Sequence, residues 1–301
     1  MSRPDHIFIV GLPRTGSTLT RAILNASTEI GIGSESHFFP SPIRLGLARR
    51  EGYRERFARV GDLRSDDGLH RVVDTIWSLR GKSFWTRLAG IADRAEFETR
   101  LRASARTDRA LLELAMEYYA RGKPIRGEKT PQHIHAVPTL LDWYPNARVI
   151  HTFRDPRAVY VSLQRKEERS GHSGARRLLR WLRPILEVYG TTNVILAWRG
   201  VVDLHRRYEA QYSDRYLLQR FEDLVSDPRA AVERLCTFLE IPFAEEMLDV
   251  VVLNSSYLAR GATSGFDRSA LDRWRGHLSP LARRWFALLC GSRLREFGYE
   301  P

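Results

Sequence analysis

Cysteine is nearly absent from this chain. Of 301 residues only Cys236 and Cys290 are cysteines, too few for a disulfide framework or a thiolate metal site. Cys236 follows Leu235 in an apolar-periodic segment and reads as a buried thiol. Long apolar runs are missing too. The polar start of the chain leads into a short apolar stretch, and nothing later approaches the ~20 apolar residues that span a bilayer. The expectation is therefore a soluble, cytoplasmic protein. There is no internal repeat, low-complexity tract or Pro/Gly linker, so one domain over residues 1–301, carrying insertions, is expected.

Negative charge is in deficit. Lys and Arg number 48 against 36 Asp and Glu, a formal charge of +12. Such an excess implies an anionic ligand or partner without saying which. The basic residues concentrate locally, around 49–59 and 165–183, and form no basic tail. No zinc-finger spacing or RNP-type aromatic motif accompanies them, so nucleic acid is not an expected partner. No set of His, Cys, Asp and Glu has ligand spacing, and His133 and His135 on one short helix would face different ways; no metal is expected.

What the sequence does have is alternation. Short β-type runs at 6–10, 30–33, 125–128, 148–153 and 216–221 are separated by helical periodicity. That pattern predicts an α/β fold with a central parallel sheet of about five strands covered on both faces. Two connections are too long for simple crossovers and read as helical insertions, at about 41–121 and 164–212. The second carries Trp181, Tyr189, Trp198 and Tyr208, for most of which core packing is the expectation.

The first run leads into Gly11-Leu-Pro-Arg-Thr-Gly-Ser-Thr18. Leu19, Ala22, Ile23 and Ala26 then follow at the spacing of a buried helix face. Strand, glycine loop and helix together aim backbone N–H groups and a helix N-terminus into one concavity that suits an anion. The spacing matches the nucleotide-binding pattern G-x-x-x-x-G-K-[ST], except that Ser17 stands where the lysine belongs. Phosphotransferases of this class use that lysine with a metal on the outer phosphates, so its absence argues against ATP hydrolysis. Arg14 supplies a cation from within the loop instead.

Pro13-Arg14-Thr15-Gly16-Ser17-Thr18 resembles the 5′-phosphosulfate loop of sulfotransferases that use 3′-phosphoadenosine 5′-phosphosulfate (PAPS). His151-Thr-Phe-Arg154 through Ser162 is similar to that family's 3′-phosphate motif. Asp155 and Pro156 suit an N-cap and first helical residue, which would set Arg154 at a strand's end and Ser162 two turns into a helix. Gly127-Glu-Lys-Thr-Pro131 and Phe221-Glu-Asp-Leu-Val-Ser-Asp-Pro228 extend the resemblance over nearly the whole chain. It is nearest to bacterial sulfotransferases that resemble tyrosylprotein sulfotransferases; region 41–121 resembles nothing familiar.

The resemblance implies a P-loop NTPase-like, three-layer α/β/α fold. It also implies transfer of a sulfuryl group from PAPS to a hydroxyl of a peptidyl tyrosine, a carbohydrate or a small metabolite, leaving 3′,5′-adenosine bisphosphate. The acceptor could be anionic or an acidic peptide. Glu35 falls at the position of the family's base, with His37 two residues away as the alternative and Glu29 as a weaker competitor. Arg14 and Lys129 would stabilise charge on the transferring group. The amides of Thr15, Gly16, Ser17 and Thr18, with the hydroxyls of Ser17 and Thr18, would hold the 5′-phosphate, while Arg154 and Ser162 hold the 3′-phosphate. Phe221 stands where relatives often carry tyrosine. A late basic segment would close the site through Arg260, with Arg268 nearly as good. The competing readings are a kinase-like phosphotransferase of the same loop class and a non-catalytic polyanion-binding protein, which predicts steep salt dependence and no need for Glu35.

Overall fold

Five parallel strands form one sheet in the order β2-β3-β1-β4-β5: β1 (His6–Gly11), β2 (Ile30–Gly33), β3 (Ile125–Lys129), β4 (Ala147–Phe153) and β5 (Tyr216–Arg220). All five lie where the sequence places them, with ends within a residue or so of expectation. The computed structural model describes residues 3–42, 51–169, 183–250 and 266–300.

Strand β1 is buried at every position and alternates strictly between two cores. Ile7 and Ile9 join Ile30, Ile32, Ile125 and Ile150 on one face. Phe8 and Val10 join Val149 and Phe153 on the other. This period-2 switch between two apolar environments is what a parallel sheet covered on both faces requires. Helices α1 (Ser17–Ala26) and α11 (Pro228–Leu239) cover the isoleucine face through Leu19, Ile23, Val232 and Leu235. Of the expected α1 face, Leu19 and Ile23 are buried, but Ala22 and Ala26 are only partly so; Thr20 and Leu24 take the deeper places.

Five helices come from the first insertion: α2 (Tyr53–Val60), α3 (Asp66–Ser78), α4 (Phe84–Ile91), α5 (Arg94–Ala103) and α6 (Asp108–Ala120). Their starts are well marked: Ser65, Ser83, Asp93 and Thr107 each accept a hydrogen bond from the backbone N–H of the third residue on, the N-cap arrangement. The insertion is not a separate body. Phe57, Val72, Trp85, Phe97 and Leu112 pack in the same core as Phe8 and Val10.

The remaining helices are α7 (Val137–Trp143), α8 (Pro156–Arg169), α9 (Arg183–Gln211), α10 (Phe221–Ser226) and α12 (Pro280–Glu296). Trp198 and Tyr208 on α9 are buried as expected, but Tyr189 is 44 % exposed, and Trp181 lies outside the described residues. Both cysteines are buried and unpaired. Among the described residues no helix is long and apolar enough to cross a membrane.

Candidate functional site

Sheet register decides what meets at the C-terminal edge. Gly11 of β1 pairs with Thr152 of β4, and Phe153 pairs with Arg220 of β5. Arg154 and Phe221 therefore step off the edge side by side, next to the glycine loop that leaves β1. This is the crevice beside the first strand, where chains of this topology collect ligands.

Within the loop, the Thr15 hydroxyl donates to the Leu12 carbonyl at 2.7 Å and lies 2.8 Å from the Thr152 hydroxyl. Its side chain is thus spent on tying the loop to β4, which leaves its backbone amide for a ligand. Gly16 closes the loop as N-cap of α1 at φ 92°, and no side chain caps the helix behind it. The N–H groups of the first turn accordingly keep their anion-binding capacity. A Cβ on Gly16 would stand 2.6 Å from Cδ2 of Phe221, so the position needs glycine for its φ and for its neighbour. Ser17 is buried and Thr18 half-buried in that first turn.

Arg14, held at φ 73°, donates from Nε to the Ser162 hydroxyl at 2.8 Å. Arg154 is buried, its guanidinium 4.0 Å from the centre of the Phe221 ring, a cation–π contact. Its two Nη groups donate to the carbonyls of Arg14 (3.3 Å) and Ala270 (2.8 Å). Phe221 supplies no hydroxyl; it acts as the floor on which Arg154 lies.

The expected N-cap forms. Asp155 accepts from the N–H of Arg157 at 2.8 Å and pairs with its guanidinium at 2.7 Å. The Asp155 N–H itself donates to Glu222, whose other oxygen accepts from the Tyr299 hydroxyl at 2.8 Å. Burial raises the Glu222 pKa even against the hydrogen bonds it accepts. Tyr299 thus braces this corner from a position with no local signal in the sequence.

Register also builds the other half. Gly33 pairs with Glu128, one residue before Lys129, and Glu35 continues past that edge. The Lys129 ammonium donates to Glu35 Oε1 at 2.6 Å, and Nε2 of His37 lies 3.2 Å from Oε2. The Lys129 side chain is 6 % exposed and that of Glu35 39 %; the lysine is a buried anchor, the carboxylate faces open space. Burial pushes the Glu35 carboxyl up, but the hydrogen bond from His37 and the Lys129 charge outweigh it and hold the group well below the usual carboxylate range. Burial lowers the Lys129 pKa, with Glu35 working against it. Glu29, the competitor, sits at the opposite end of β2 and pairs with Arg3 at 2.8 Å.

Segment 35–39 is held from beneath by a fully buried pair. His133 Nδ1 hydrogen-bonds Glu128, and His133 Nε2 accepts from the Phe39 N–H at 3.1 Å. A ring accepting at Nε2 must carry its proton on Nδ1, so the imidazole is neutral and donates to an ionised Glu128. Thr130 adds 2.9 Å to the same carboxylate, and the Ser36 N–H donates to Thr130 at 3.0 Å. His133 is thus structural. Among the described residues no group of three or more His, Cys, Asp or Glu could hold a metal ion.

Arg260 lies outside the described residues. Arg268 bonds the carbonyl of Ser226, and its short 3₁₀ turn reaches the site through the Ala270 carbonyl on Arg154. Two cations that sequence reasoning missed, Arg21 and Arg87, lie within charge–charge reach of Glu35 or of each other. The signal for Arg21 was its place one helical turn past Ser17.

The sulfotransferase family model matches residues 4–245. The chain belongs to the sulfotransferase family. Protein-tyrosine sulfotransferase 1 of Danio rerio is 23% identical over 310 residues, covering 98% of this chain and 72% of that protein. Omega-hydroxy-beta-dihydromenaquinone-9 sulfotransferase of Mycobacterium bovis is 28% identical over 131 residues, 42% of this chain and 31% of the relative. The sulfotransferase domain of the Synechococcus PCC 7002 olefin synthase superposes with a TM-score of 0.56 at 20% identity, covering 100% of this chain and 97% of that one. The sulfotransferase domain of the curacin biosynthetic pathway gives 0.55 at 20%, covering 99% of each. These two structures share the fold, an α/β architecture around a five-stranded parallel sheet.

Proposed function

We propose that this sulfotransferase transfers the sulfuryl group of PAPS to an acceptor hydroxyl that Glu35 deprotonates. The observation that carries the proposal is the Arg14–Ser162 hydrogen bond, 2.8 Å across 148 residues of sequence. It brings two anion-holding motifs to one corner of one sheet edge, as a nucleotide with phosphates at both its 5′ and 3′ positions demands. The donor set fits such a ligand: loop amides, an uncapped helix N-terminus, the Ser162 hydroxyl and the guanidinium groups of Arg14 and Arg154. The two acids beside them are turned elsewhere, Asp155 to Arg157 and Glu222 to the Asp155 N–H and Tyr299.

PAPS supplies, when bound, a sulfuryl group carried on a phosphate leaving group. The amides of residues 15–18 hold the 5′-phosphate, and Arg154 and Ser162 hold the 3′-phosphate. Arg14 and Lys129 are the cations placed to stabilise charge that develops in transfer. Glu35 accepts the hydroxyl proton. In the resting pair Lys129 keeps that carboxylate ionised, and the same ammonium would supply positive charge to a sulfuryl group held beside it. His37, which donates toward the second carboxylate oxygen, fixes its orientation.

The relatives are named for protein tyrosine and for a hydroxylated dihydromenaquinone, so the acceptor is proposed only as a hydroxyl compound. The test is release of 3′,5′-adenosine bisphosphate from PAPS in the presence of tyrosine peptides, saccharides and simple phenols. Acceptor-dependent release that is lost in Glu35→Gln supports the reading. Release indifferent to that substitution contradicts the role of Glu35, and acceptor-dependent consumption of ATP in place of PAPS contradicts the donor.

A further inference from the structure

Among the described residues Lys129, Arg21 and Arg87 gather near the end of β2, and of the three Lys129 alone bonds a carboxylate. Lys129 is committed to Glu35. Arg21 sits on α1 one turn beyond Ser17, and Arg87 sits on α4 one turn beyond Phe84. Helix α4 is fixed against this edge. The Phe84 ring stacks on Tyr119 at 4.3 Å and leaves no room for a Cβ on Gly33, and Trp85 Nε1 donates to the Ser36 carbonyl at 2.9 Å. Arg21 is half-buried with its Nε wholly shielded and unmet by any acceptor. Neither its guanidinium nor the exposed one of Arg87 makes a hydrogen bond or ion pair among the described residues. Burial and the Arg87 charge both lower the Arg21 pKa, with Glu35 opposing them.

By contrast, Arg54 of α2 pairs with Asp108 at 2.6 Å, Arg100 of α5 with Glu117 at 2.7 Å and Arg126 of β3 with Glu113 at 2.9 Å. Two like charges set together, one with a shielded donor left unmet, are costly unless an anion arrives between them. The carboxylate nearby is already engaged by Lys129 and His37, so that anion has to come from outside the chain. A planar guanidinium fork prefers a carboxylate, phosphate or sulfate.

We propose that Arg21 and Arg87 form an oxyanion subsite beside Glu35, and that the acceptor is a hydroxyl compound bearing a carboxylate, phosphate or sulfate close to the hydroxyl that reacts. This rests on the reading of Glu35 as the acceptor's base. The two arginines are specificity determinants: they hold the anionic group so that the hydroxyl meets the carboxylate, and they repel cationic acceptors.

The test is calorimetry on protein saturated with 3′,5′-adenosine bisphosphate, titrated with 4-hydroxyphenylacetate, its methyl ester and tyramine. The acid should bind at least about tenfold more tightly than the ester or the amine. R21Q/R87Q should erase that preference while leaving nucleotide affinity unchanged, and R87Q alone, on an exposed side chain, should remove part of it. Equal or undetectable binding of acid and ester overturns the subsite, as does a preference that survives in R21Q/R87Q. A loss of nucleotide affinity as large as the loss of acid affinity overturns it too, by assigning the arginines to the donor. Wild-type protein that binds no nucleotide sinks the proposed function and this inference with it; normal nucleotide binding without the preference sinks the inference alone.

Discussion

The two halves of the site are built differently. On the β4–β5 side several charged side chains are engaged within the site: Arg14 on Ser162, Arg154 on the Arg14 and Ala270 carbonyls above Phe221, Glu222 between Asp155 and Tyr299. On the β2–β3 side the Glu35 carboxylate faces outward, held by Lys129 and His37, with Arg21 and Arg87 making no ion pair among the described residues. A ligand that never changes can be met by a preformed, cross-linked pocket. A partner that differs from one family member to the next is met by an edge whose charges wait for it.

Four substitutions would break or sharpen that contrast. Glu35→Gln should have the largest effect, lowering transfer by about 10²–10⁴ while 3′,5′-adenosine bisphosphate binds as before. Full activity in that variant would pass the base's role to His37. Next, Arg154→Ala should weaken binding of the bisphosphate by about 1.5–3 kcal/mol, the worth of a hydrogen bond to a charged group, and leave adenosine 5′-monophosphate nearly unaffected. Equal losses for both nucleotides, measured by calorimetry, would mean that Arg154 serves the fold alone.

The pH profile probes the acceptor half. Because Glu35 is held well below its ordinary range, it stays ionised from neutral pH down past about 4, where a free glutamic acid would protonate. The kcat/KM of the wild type should therefore show no acid limb from this base in that range, whereas an imidazole base would lose activity through about pH 5–7. Lys129→Met removes a charge that favours the carboxylate. Its acid limb should move to higher pH, and an unshifted limb would separate Lys129 from the base. The smallest effect is expected from Gly16→Ala, through its φ of 92° and the Phe221 ring 2.6 Å from the new Cβ. Thermal denaturation should register a loss of about 1–3 kcal/mol, part of which Phe221→Leu should restore.

The same contrast explains what could be read in the sequence. The placement of the β1–β4 corner was legible because its groups sit in short contiguous motifs: the loop from Gly11 to Thr18 and the run from Arg154 to Ser162 each carry their own strand, turn and helix signals. Strands β1 and β4 were legible as apolar-rich runs, whereas β3, Ile-Arg-Gly-Glu-Lys, has no such run. Arg21 and Arg87 were not legible. One sits in an amphipathic helix, where an arginine reads as solvated surface; the other comes from the insertion at 41–121, whose docking depends on Phe84 meeting Gly33 and Trp85 meeting Ser36. Nor did periodicity show that the insertion shares the sheet's core, since an amphipathic helix does not announce its partner. Of the four aromatics for most of which core packing was expected, Tyr189 is the one that stays partly exposed among the described residues. The brace from Tyr299 to Glu222 joins residues 77 apart and has no local signature.

The proposed bisphosphate nucleotide site lies where Arg14, Ser162 and Arg154 converge. Its most direct test is calorimetric binding of 3′,5′-adenosine bisphosphate beside ATP with magnesium and adenosine 5′-monophosphate, at physiological salt. A clear preference for the bisphosphate is the predicted result. Tighter binding of ATP, or binding of none of the three, would contradict it.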